Sequence, residues 1–81
     1  MRIIFETIDN VKEFVSFCSK YKEYSIIVKQ ENRTVDARSI LGIYSMNLLK
    51  SVEVIICTND KCFEKEFYNK IGELIYESNI I

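Results

Sequence analysis

The chain predicts a two-layer α/β sandwich with the element order βαββαβα. Three observations predict it. Four segments rich in β-branched and aromatic residues (2–8, 24–30, 34–35 and 52–58) are short enough for strands. Two longer segments, one after the first strand and one after the last, carry apolar residues at helical spacing. Finally, 81 residues with no proline and only two glycines leave no internal boundary, so residues 1–81 form a single domain.

The first strand is RIIFETI, residues 2–8. Asp9 or Asn10 can then cap a helix, and Asn10 has Glu13 three residues on, in the manner of a capping box. Val11, Phe14, Val15, Cys18 and Tyr21 form its apolar face, with Lys12, Glu13, Ser16 and Lys20 pointing away. The second strand is YSIIVKQ, residues 24–30. A tight turn at Glu31-Asn32-Arg33 leads to a short third strand, with asparagine tolerating the left-handed backbone such turns demand. A short helix runs from Ser39 to about Met46. VEVIICT, residues 52–58, is the most apolar strand and so an interior one. Asn59 and Asp60 cap the last helix, whose stripe is Phe63, Phe67, Ile71, Leu74 and Ile75.

Composition excludes several function classes. Eleven basic and 12 acidic residues are well mixed and sum to a net charge of −1, so no basic cluster exists to neutralise phosphates, and no nucleic-acid partner is expected. No apolar run approaches the ~20 residues of a membrane helix. The opening MRIIFETIDN turns acidic by residue 6 and is no secretory signal, so a cytoplasmic location is expected. Cys18, Cys57 and Cys62 form no CxxC pair, and without histidine a closed zinc site lacks its usual ligands. They are expected to be ordinary thiols, with Cys62 reachable, and no metal or cofactor is expected. The absence of histidine also removes Ser-His and Cys-His catalysis, and two glycines cannot build a phosphate loop. The chain is therefore not expected to be an enzyme.

One stretch stands apart. In VDARSILGIYSM, residues 35–46, a serine at a helix mouth is followed at once by an apolar patch. This stretch resembles the second-half signature of the HPr proteins, the histidine-containing phosphocarriers of the bacterial sugar phosphotransferase system, whose pattern is roughly V-(D/N)-x-K-S-(I/L)-(M/L)-G. The likeness continues through Lys50, Glu53 and Val54, and element order and length agree along the chain. The resemblance implies an open-faced β-sandwich: a four-stranded antiparallel sheet with three helices on one face.

The first half departs from that family. Its active-site loop carries G-φ-H-x-R-P (φ hydrophobic), whereas the loop here, Thr7-Ile8-Asp9-Asn10-Val11, has no glycine, histidine, arginine or proline. The alignment puts Ile8 in the place of the histidine and Asn10 in that of the arginine. A phosphoryl relay needs a labile phosphoramidate, and a serine phosphate ester is too inert to pass its group on. The resemblance therefore implies a divergent member that serves as a regulatory or adaptor protein. Ser39 aligns with the family's regulatory serine, phosphorylated in some relatives by a dedicated kinase and read by a transcriptional regulator. Its other reading is a plain N-cap worth about 1 kcal/mol. Arg38 is the candidate phosphate contact. Ile40, Leu41, Ile43 and Tyr44 are candidates for docking protein partners, with Ile43 equally readable as core. A phosphocarrier with a non-histidine nucleophile, Cys18 or Asp9, is the alternative, as is a diverged binding module without phosphorylation.

Overall fold

The computed structural model describes residues 1–75. Seven elements follow in the predicted order: β1 (Arg2–Ile3), α1 (Ile8–Cys18), β2 (Ser25–Gln30), β3 (Arg33–Asp36), α2 (Ile40–Tyr44), β4 (Val52–Cys57) and α3 (Lys61–Leu74). The strands form one antiparallel sheet in the order β1-β4-β2-β3, so β4 is interior. Period-two alternation decides what each strand buries. Ile26 and Val28 of β2 and Val52, Val54 and Ile56 of β4 point to one face, in register as Ile26↔Ile56 and Val28↔Val54. Ser25, Ile27, Lys29, Glu53, Ile55 and Cys57 alternate with them on the opposite face.

Both long helices cover the same face. Val11, Phe14 and Cys18 of α1 and Phe67 and Ile71 of α3 are buried there. The Phe17 ring of α1 lies 5.5 Å from Phe67 of α3, and Phe5 meets Phe14 edge-on at 5.3 Å. The short helix α2 adds Ile43 and Met46 to the same core. The fold is thus an open-faced sandwich, α+β, with three helices on one side of the sheet.

The boundaries moved where long-range pairing overrode local preference. Strand β1 is two residues long, not seven, because its partner β4 begins at Val52 and the antiparallel register Ile3↔Val52 leaves later residues without a ladder. The first helix is capped by Thr7, not by Asp9 or Asn10. Thr7 Oγ1 accepts from the Asn10 peptide N–H at 3.1 Å, and Asn10 Oδ1 accepts from the Glu6 N–H at 3.0 Å. That reciprocal arrangement satisfies two donors at once and so starts the helix earlier. In the β2–β3 turn, Glu31 takes the left-handed backbone (φ 53°) expected of Asn32. The register Gln30↔Arg33 makes Glu31 the first central residue of a two-residue loop, where a type II′ geometry needs positive φ. The last helix is capped by Asp60, whose carboxylate accepts from the Phe63 N–H at 3.0 Å.

Candidate functional site

The site is built on α2 and its approach. Strand β3 ends at Asp36, and Ala37 extends the pairing by donating to the Ile26 carbonyl at 2.9 Å. Asp36 then turns the chain. Its carboxylate accepts from the Arg38 peptide N–H at 2.8 Å and its carbonyl accepts from the Ser39 N–H at 2.9 Å. Ser39 follows in extended backbone as the N-cap of α2, and its Oγ accepts from the Gly42 N–H at 3.1 Å. It is half-buried.

Gly42 has a steric reason. A Cβ there would lie 3.0 Å from Ser39 Oγ and 3.1 Å from Val35 Cβ, so any side chain would press α2 and β3 apart by a few tenths of an ångström.

The apolar candidates separate by face. Ile43 is fully buried, which corrects its assignment to the docking set: residues 40, 43 and 46 are three apart and turn inward together, with Ile40 half-buried and Met46 in the core. Residues 41 and 44 turn outward, and Leu41 is 78% and Tyr44 37% exposed. Leu41, one of the docking candidates, points away from the sheet. Two further exposed large hydrophobics were not singled out as docking residues from sequence: Ile8 (62%), the first residue of α1, and Leu49 (91%) in the α2–β4 connection. Single exposed apolar residues in a loop carry no period, so no sequence signal marked Leu49.

Arg38 is already engaged. Its Nη1 donates to the Tyr21 carbonyl at 3.0 Å and its Nε lies 3.3 Å from Asp36 Oδ1. The guanidinium thereby staples the α2 approach to the α1–β2 connection, and a phosphate on Ser39 would compete with Asp36 for it.

Cys18, the sequence candidate for an alternative nucleophile, is fully buried in the core. Burial pushes its thiol from 9.0 up to about 12, with Arg38 opposing and Asp36 reinforcing by smaller amounts. At neutral pH it is a protonated core thiol rather than a thiolate. Cys57 and Cys62 are exposed. Among the described residues no helix is long and apolar enough to cross a membrane.

An antiparallel open-faced sheet with three helices on one side is the architecture that the resemblance to the HPr proteins implies. The match to the family model described as "PTS HPr component phosphorylation site" extends over residues 10–77, well over half of the chain. The chain belongs to the HPr family of the phosphotransferase system. No curated protein and no solved structure matches it significantly.

Proposed function

We propose that this chain is a non-catalytic regulatory or adaptor member of the HPr family. It docks protein partners through the outward side of α2, and phosphorylation of Ser39 controls which of them bind. The observation that carries the reading is Ile8. It stands exposed at the head of α1, and alignment with the family's active-site motif sets it in the place of the histidine. An aliphatic side chain forms no phosphoramidate, and the chain has no histidine to replace it. The docking side remains, with Leu41 and Tyr44 outward and Ile40 partly so.

The partners are proteins of the phosphotransferase system, a serine kinase or a transcriptional regulator. The setting is sugar-transport control in a bacterial cytoplasm. Burial of Cys18 counts against a thiol-based phosphocarrier.

Two labelling experiments test the reading. Radiolabel from phosphoenolpyruvate, offered through the general phosphotransferase enzyme, is expected to leave the protein unlabelled; acid-labile label on it would overturn the non-catalytic assignment. Label from ATP through the serine kinase is expected on Ser39 and absent from Ser39→Ala. No label in the wild type removes the regulatory half of the proposal.

A further inference from the structure

The helices cover one face of the sheet, and the strand register orders the side chains on the other. Arg2 of β1, Glu53 of β4, Lys29 of β2 and Thr34 of β3 lie in one row across the four strands. In the next row Ile55 of β4 stands beside Ile27 of β2, with Asp36 of β3 at the edge. Cys57 and Ser25 form the row after that. Successive rows are two residues apart along each strand, so all these side chains share the uncovered face.

Water on one face of an antiparallel sheet is ordinary, and β-branched residues suit a strand on either face. Ile27 and Ile55, both half-buried, therefore point to nothing by themselves. The charges around them do. Arg2 and Lys29 stand against Glu53 and Asp36, two of each sign, so a second copy of this face meets no net repulsion. Asp36 is already engaged by Arg38, 3.3 Å away. Among the described residues, no ion pair closes between Glu53 and either of the cations that flank it.

The register makes this pattern complementary to itself. A two-fold axis parallel to the strands, midway between β2 and β4, exchanges those two strands between copies. Lys29 is the register partner of Glu53, Ile27 of Ile55 and Ser25 of Cys57. The rotation therefore sets Lys29 of each copy over Glu53 of the other. Ile27 and Ile55 meet in the same way at the centre, and Ser25 meets Cys57. Strands β1 and β3 exchange too, which sets the Arg2 guanidinium over the Thr34 hydroxyl, an acceptor for it. Sheets stacked face to face lie about 10 Å apart with strand directions within about 30°, a gap that a lysine and a glutamate span together.

We propose that the open face of the sheet is a self-association surface. Two copies of this chain stack sheet on sheet about an axis between β2 and β4, with Lys29–Glu53 pairs flanking an Ile27–Ile55 centre. Such an interface is isologous and closed, so it ends at a dimer. Its apolar centre is small, which makes the dimer a transient one that forms at high protein concentration. The helix α2 lies on the other side of the sheet, so this surface is separate from the docking reading above.

The test is sedimentation equilibrium of the full chain in a concentration series reaching about 1 mM. The wild type is expected to pass from monomer to dimer and no further. Lys29→Glu and Glu53→Lys each set like charges over one another at both symmetry-related contacts. Each is expected to weaken the dimer by about tenfold or more. Mixed in equal amounts, the two variants are expected to associate with each other as the wild type does, because the reversals then oppose one another across the axis. Each chain in that mixture still carries its own like-charged row, so only a contact between copies responds to mixing.

Ile55→Thr keeps a β-branched residue in the strand and is expected to weaken the dimer by about tenfold, since the apolar contact is lost twice. Unchanged association of Ile55→Thr overturns the proposal, also where a charge reversal fails to fold. The proposal equally fails if both reversals associate as the wild type does, if their mixture does not associate, or if assembly continues past the dimer. A wild type that stays monomeric throughout leaves the face to water or to another protein, and the proposal fails.

Discussion

Ser39 and Gly42 define each other's place. The serine hydroxyl accepts from the glycine N–H at 3.1 Å, and a Cβ on that glycine would lie 3.0 Å from the same oxygen. The helix that carries Leu41 and Tyr44 is thus capped and spaced by one pair of residues. Predictions about the site begin there.

Ser39→Ala removes the cap without leaving a buried charge. We expect a loss of about 1 kcal/mol, read as a modest fall in thermal midpoint. Ser39→Asp should recover most of it, since a carboxylate can accept the same N–H. A loss for Ser39→Ala above about 3 kcal/mol would mean that the hydroxyl does more than cap.

Gly42→Ala tests the spacing. In an unconstrained helix the change stabilises by up to about 1 kcal/mol. Here the new methyl meets Val35 Cβ at 3.1 Å, a neighbour fixed to the β3 backbone. We therefore expect a lower melting temperature than wild type. A higher one would show that α2 can withdraw from β3 at no cost.

Truncation along α2 should separate its two faces. Ile43→Ala, at a fully buried site, is expected to cost ~2–5 kcal/mol, as is Phe67→Ala in α3. Leu41→Ala should stay within about 0.5 kcal/mol of wild type in a denaturant melt. Tyr44→Ala should fall well below Phe67→Ala. If it unfolds the domain as severely, Tyr44 belongs to the core and the docking face loses its aromatic member.

Cys18 should be silent to thiol reagents in the folded protein, while Cys57 and Cys62 react. Its pH dependence has a definite sign. Folding raises the thiol from 9.0 to about 12, so the folded state favours the protonated form. That contribution to stability is fully present below pH 9 and lost as pH rises towards 12. Denaturant titrations across this range should therefore show falling stability, with a shallower slope in Cys18→Ala. An equal slope in the two proteins would assign the alkaline loss to other groups.

Local chemistry made much of this protein legible before any coordinates. β-branched and aromatic composition marks the four strands, and the 3.6-residue period marks the two long helices, in their order along the chain. That period also specifies the buried residues Val11, Phe14, Phe67 and Ile71, because burial on an amphipathic element repeats with its own geometry. The serine-led stretch at 35–46 and the absence of histidine are likewise properties of the chain itself. Tertiary structure decided the rest. The order β1-β4-β2-β3, as opposed to a ferredoxin-like one, depends on which edges pair, and no residue's own preference encodes that. A helix of five residues is too short for its period to say which side faces in, so Ile43 and Leu41 were told apart only by packing against the sheet. Arg38 looked free beside Ser39 until folding brought the Tyr21 carbonyl to its guanidinium. Gln30 reaches Asn47 only because β2 ends beside the α2–β4 turn, a closeness set by the sheet and not by spacing along the chain.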